Sequence, residues 1–178
     1  MDEQRVVARG GTAYAVMHAD LHIHGRGTAS YRLTRIAPQP ARTPVRPDWP
    51  GTRLAALWLH GPDFPRTGEA AEAAAADLAR NGWVVLSARI EHGTAEHPAQ
   101  LLPRGTPGVV IIVDGADDWS AAELCWLLSN ALVHEPGLPV RLLLTASTVD
   151  RLPELRAALA NVQAGVSALP VSPPRPGR

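Results

Sequence analysis

The residues best placed to do chemistry are three carboxylates at the end of an apolar run. Val109-Val110-Ile111-Ile112-Val113 leads directly into Asp114-Gly115-Ala116-Asp117-Asp118. A continuous β-branched run predicts a strand buried on both faces, as in a parallel sheet. A strand that delivers an Asp at its carboxyl end, followed by a small turn and further acids, can hold Mg²⁺ beside a nucleotide. The plainer reading of the same residues is a core strand that ends in a polar turn, since Asp and Gly are ordinary turn formers.

Nucleotide chemistry also needs a phosphate cradle. A phosphate-binding loop requires a strand, then glycines whose backbone N–H groups face the anion. It also needs a Lys for the β- and γ-phosphates and a Ser/Thr for Mg²⁺ at a helix N-terminus. The expected order is present: strand 54–60, a loop from Gly61 to Gly68, then a helix to Arg80. Counting GxxxxGK[ST] from Gly61 puts Arg66 at the second Gly, Thr67 at the Lys and Gly68 at the hydroxyl. Taking Gly68 as the second Gly puts Glu69 at the Lys and Ala70 at the hydroxyl. Glu69 sets negative charge where the helix dipole would favour phosphate, an effect of about 0.3–1 kcal/mol. Arg66 restores a cation, but a planar guanidinium does not replace an ammonium conservatively.

A third group is Asp20-Leu21-His22-Ile23-His24. His22 and His24, two apart on a strand, share a face with His18 and could chelate Zn²⁺, as in the Asp-x-His-x-His opening of metal-dependent hydrolases. Those enzymes need a barrel of roughly 250 residues with ligands on several later strands. The alternative is the solvated polar face of an edge hairpin. His60, ahead of the loop, fits either a ligand contact or a satisfied strand end.

The elements that must position these groups read as follows. Residues 13–24 alternate, Gly25-Arg26-Gly27 turns, and Ser30 to Ile36 returns, which predicts a β-hairpin arm over residues 1–36. Five prolines between Ala37 and Gly51 predict a semi-rigid linker over 37–53. The main domain then spans 54–171, with a Pro-rich tail at 172–178. Its strands are 54–60, 83–87, 109–113, 140–144 and 166–171, and residues 91–107 read as a loop. Its helices are 68–80, one opened by the Ser120–Glu123 capping box, and one from Pro153. The second helix carries Leu124, Leu127, Leu128, Ala131 and Leu132 on one face. The predicted class is α/β, a parallel sheet of about five strands with helices on both faces. Ligands in such sheets bind at the carboxyl ends of the strands. Trp58, Trp83, Trp119 and Trp126 stand at strand or helix starts and read as core anchors.

Composition narrows the function. The 178 residues carry 17 basic and 17 acidic side chains, and every basic residue other than His is Arg. Zero net charge with scattered Arg argues against nucleic acid as a partner, and the lack of Lys excludes Schiff-base chemistry. No apolar run is long enough to span a membrane, and no charged-then-apolar leader opens the sequence, so a cytoplasmic location is expected. The single Cys125, in an apolar helical stretch, reads as a small core residue.

Val110-Ile111-Ile112-Val113-Asp114-Gly115-Ala116-Asp117-Asp118 resembles the Walker B motif of STAND-class P-loop ATPases, the relatives of NACHT and NB-ARC domains. The resemblance extends to actinobacterial regulators in which such an ATPase precedes tandem helical repeats. It is carried by Leu57-Trp58-Leu59-His60-Gly61-Pro62, Asn81-Gly82-Trp83, Asp117-Asp118-Trp119 and Trp126-Leu127-Leu128-Ser129-Asn130-Ala131-Leu132. It covers residues 54–171 and implies a P-loop NTPase-like fold. It implies that Asp114 coordinates Mg²⁺ through water and that Asp117 or Asp118 polarises the attacking water. Two departures stand out. The phosphate loop Gly61, Arg66, Thr67, Gly68 lacks its Lys and Ser/Thr, and the sensor strand ends Thr145-Ala146-Ser147 where Thr, a small residue and Arg are expected.

The expectation is therefore a non-hydrolysing regulatory or partner-binding module with weak or no ATP binding, its Mg²⁺ arriving only with ATP. Its partner would be a protein, such as a separately encoded repeat protein. The alternative is an active ATPase switch with Arg66 in place of Lys, and more distantly a metal-dependent hydrolase through His22 and His24. A vacated site also predicts that Asp114, Asp117 and Asp118, crowded without a cation, cost the fold stability.

Overall fold

The computed structural model describes residues 31–39, 47–90, 102–160 and 163–171. Ten elements follow in order: β1 (Tyr31–Arg35), β2 (Leu54–His60), α1 (Phe64–Arg80), β3 (Val84–Ile90), β4 (Val109–Val113), α2 (Ala121–Leu128), α3 (Ala131–His134), β5 (Val140–Ala146), α4 (Leu152–Ala160) and β6 (Gly165–Pro170). They form one six-stranded sheet in the order β1-β3-β4-β5-β2-β6. Every neighbouring pair is parallel except β1 with β3. The class is α/β with a mostly parallel mixed sheet.

Burial follows from the strand sequences. β4 is buried at all five positions, as its unbroken Val/Ile run requires in the middle of a sheet covered on both faces. On one face Leu57, Leu59, Val85, Val110, Ile112 and Leu143 meet Ala70, Ala71, Ala74 and Ala75 of α1. Those alanines recur at i, i+1, i+4 and i+5, so the middle of this helix face is methyl groups, flanked by the buried Thr67 and by Leu78. On the other face Trp58, Ile111, Val113, Leu142 and Leu144 pack with Trp119, Leu127, Leu155 and Leu159 from the α2 and α4 side. Trp58 and Trp119 are fully buried core anchors, as expected, and Trp83 and Trp126 are partly buried against the core.

Several boundaries differ from the sequence reading. α1 starts at Phe64, not Gly68, with Pro65 in its first turn; Pro is favoured there because its missing N–H would be unpaired in any case. The single helix expected after Ser120 breaks at Ser129-Asn130. The Asn130 side chain accepts from the Leu132 N–H at 3.0 Å and so caps a separate short helix, α3. The Ser120–Glu123 capping box is formed in both directions. β1, the return strand of the expected hairpin arm, also pairs antiparallel with β3 and is the outermost strand among the described residues, with Tyr31 and Leu33 buried. The other hairpin strand, with His18, Asp20, His22 and His24, lies outside the described residues, as do most of the 91–107 loop and the 172–178 tail. Cys125 is exposed, not in the core: it lies on the outer side of α2, between the buried Leu124 and Leu127. No helix among the described residues is long and apolar enough to cross a membrane.

At the amino end of the sheet, part of the expected linker is tied in. Arg141, second in β5, donates to the carbonyls of Thr52, Arg53 and Val140 at 2.9–3.1 Å. Its guanidinium carbon lies 5.5 Å from the ring centroid of Trp49 and 5.5 Å from that of Trp83. Burial lowers its pKa from the ordinary value. Trp83 in turn presses on Gly108, where an added Cβ would stand 2.4 Å from the ring, so only glycine fits. Arg141→Ala therefore costs about 2–3 kcal/mol in a urea titration, from lost charged hydrogen bonds and ring contacts. Arg141→Lys recovers less than half, because an ammonium loses the planar guanidinium's contact with the Trp49 and Trp83 rings.

Candidate functional site

The two faces of the sheet are served by different strands. α1, after β2, packs on one face, and the helices after β4 and β5 pack on the other. The chain thus switches faces between β2 and its neighbour β5, with β4 one strand further. Ligands of open α/β sheets bind outside the carboxyl ends of strands at such a point. Here that region holds Gly61, the start of α1, Asp114 to Asp118, and Thr145 to Ser147.

The expected eight-residue phosphate loop is a three-residue connection, Gly61-Pro62-Asp63. Arg66, Thr67 and Gly68 all lie within α1. The N–H groups of Arg66 and Thr67 both donate to the Asp63 carbonyl, at 3.1 and 3.2 Å, and Pro65 has no N–H. Arg66 Nε pairs with Asp63 Oδ2 at 2.9 Å. Thr67 is fully buried and Glu69 is exposed. Gly61 serves close approach within the sheet. Its N–H donates to the Ala146 carbonyl at 3.1 Å, and the Val171 N–H to the His60 carbonyl at 2.8 Å. An added Cβ at Gly61 would lie 2.5 Å from the Val171 oxygen. His60 is a strand-end residue whose backbone continues this pairing.

The acidic turn after β4 is brought to the carboxyl end of β5, and the two are bonded closely. Thr145, fully buried, donates its hydroxyl to Asp114 Oδ1 at 2.7 Å and accepts from the Gly115 N–H at 3.0 Å. The Ala116 N–H donates to the Thr145 carbonyl at 2.7 Å. Asp117 Oδ2 accepts from both the N–H and the hydroxyl of Ser147, each at 2.6 Å. Asp117 Oδ1 is screened from solvent and without a hydrogen-bond partner among the described residues. Asp118 is exposed. Asp114 and Asp117 are hydrogen-bond acceptors that join the turn after β4 to β5.

Three residues at this end escaped the sequence reading. Ser147, noted only as the absence of an Arg, grips Asp117. Arg151 donates to the carbonyls of Asp117, at 3.1 Å, and Trp119, and pairs with Glu154 at 3.1 Å. The signal for Arg151 was a cation four residues after Ser147, at the start of α4. Arg89 follows Ala88, the register partner of Val113, and so stands on the strand next to Asp114; no ion pair joins the two. No group of three or more metal-ligating side chains is assembled among the described residues.

Removing Asp117 leaves the Ser147 N–H and hydroxyl unpaired and loosens the turn that Arg151 holds. Asp117→Ala should cost about 2–3 kcal/mol by denaturant midpoint, against less than about 0.5 kcal/mol for the exposed Asp118→Ala. Equal small losses would show that the clamp contributes nothing. No family model matches the chain, and neither a curated protein nor a solved structure matches it.

Proposed function

We propose that this chain is a STAND-like P-loop domain that has become a non-hydrolysing regulatory or partner-binding module, with weak or no ATP binding. The observation that carries the reading is the start of α1. A phosphate cradle needs several successive N–H groups turned toward the ligand and a cation beyond them. In this chain the Arg66 amide is committed to the Asp63 carbonyl, Pro65 contributes none, and the Arg66 guanidinium pairs with the Asp63 carboxylate. That carboxylate also stands at the positive end of the helix, where it opposes an incoming phosphate.

The acidic strand end supports descent from a nucleotide site better than a working one. Asp114 retains the place from which an Mg²⁺-bound nucleotide would be met, and Thr145 holds it by one oxygen. Were ATP bound, Mg²⁺ would supply charge neutralisation at the phosphates, with Asp114 as its nearest carboxylate and Asp117 and Asp118 beyond. Asp117, however, is committed to Ser147 on one oxygen. What remains for the domain is a rigid sheet with two different edges, suited to holding a protein partner such as a separately encoded repeat protein.

Calorimetric titration of the chain with Mg·ATP tests this directly. The expected result is no saturable heat, or a dissociation constant weaker than about 1 mM, equivalent to about −4 kcal/mol. A low-micromolar constant abolished by Arg66→Ala and made Mg²⁺-independent by Asp114→Ala would contradict it, and would establish the active switch in which Arg66 replaces lysine.

A further inference from the structure

The turn that ends α1 joins two residues with a chemistry of their own. Asn81 is followed by Gly82, and both are exposed. The chain has three asparagines, and the other two, Asn130 and Asn161, precede Ala131 and Val162. A backbone nitrogen can attack the carboxamide carbon of an asparagine directly before it. A side chain on the attacking residue hinders that approach, and glycine has none.

The closed cap occupies both reactants. The Gly82 N–H donates to the Ala79 carbonyl and Asn81 Nδ2 to the Asp77 carbonyl, each at 2.9 Å. The Gly82 bond must break before its nitrogen can attack. Helix ends open at little cost compared with the core. The next anchor, the Trp83 ring against Gly108, lies beyond the turn and need not move.

We propose that Asn81 is a self-modifying site, converted to aspartate and isoaspartate when the α1 cap opens. This reading is independent of whether the domain binds nucleotide. The Gly82 nitrogen forms a bond to Asn81 Cγ, and the side-chain nitrogen leaves as ammonia, taking the Gly82 proton. The product is a five-membered imide. Water then opens it at one of its two carbonyls. Breaking the new bond to Cγ restores the original backbone with aspartate at position 81. Breaking the original peptide bond leaves the chain running through the side chain, which is isoaspartate. One water is consumed and one ammonia released, with no change of oxidation state.

Either product weakens the cap that formed it. Aspartate has no donor for the Asp77 carbonyl and sets a carboxylate at the negative end of the helix. It also stands four residues from the Asp77 carboxylate, a repelling arrangement on a helix surface. Arg80 already pairs with Asp77. Isoaspartate lengthens by one methylene the short connection that sets the Trp83 ring against Gly108.

Mass spectrometry of tryptic peptides, after the folded chain has stood warm at neutral pH for weeks, tests the site. The peptide ending at Arg89 should gain one mass unit, and those holding Asn130 and Asn161 should not. Asn81→Gln should abolish the gain. The same chain unfolded in urea should react about tenfold faster or more, as a cap that is open only a minor part of the time requires. Asn81→Asp, which reproduces one product, should unfold at a lower urea concentration than the unaltered chain. No gain in the folded chain, equal rates folded and unfolded, or an Asn81→Asp variant as stable as the unaltered chain would each overturn the proposal.

Discussion

A helix offers its first N–H groups once. In α1 the Arg66 N–H turns back to the Asp63 carbonyl, which also takes the first ordinary helical bond from Thr67, and Pro65 has none to give. This follows from a connection of three residues between β2 and the helix. Gly61 is drawn against the Val171 carbonyl and bonded to Ala146, so the strand ladder runs one residue beyond β2 and the helix begins soon after. The fate of Arg66 is set by the same shortness: one helical turn from Asp63, it forms an ion pair there at 2.9 Å.

The neighbouring strand ends are closed by a different set of bonds. Thr145 hydroxyl, N–H of Gly115 and carboxylate of Asp114 form one chain, and Ser147 with Asp117 forms another. Ser147 has a side chain short enough to donate to Asp117 together with its own N–H. The cation at this end comes instead from Arg151, and it goes to the Asp117 and Trp119 carbonyls. The acids thereby serve as connectors between β4 and β5.

Sheet and core were legible because they rest on patterning. The Val109–Val113 run reads as a doubly covered strand, and the Ala-rich run before Asn81-Gly82 reads as a helix. The capping box at Ser120 is a local rule and was formed as read. The start of α1 was not legible, because a glycine at position 68 breaks helix propensity, and the packing of the alanine face outweighs a single glycine. The mixed sheet was missed because nothing local in Tyr31–Arg35 shows that the strand also pairs with β3, where Tyr31 and Leu33 are buried. At the site, Asp114 and Thr145 stood out by type and position. Ser147 and Arg151 did not, because what they contact is a carboxylate and backbone carbonyls thirty residues away in sequence.

The central claim is that Gly68 is an ordinary helical residue and not part of a phosphate loop. It lies inside α1, its φ is outside the left-handed region, and an added Cβ would meet nothing within 4 Å. The direct measurement is the denaturant midpoint of Gly68→Ala against the unaltered chain, without nucleotide. A helical Gly68 predicts a gain of about 0.5–1 kcal/mol. A loss of stability would show that the backbone at position 68 needs glycine's freedom, as a phosphate loop does, and would contradict the account.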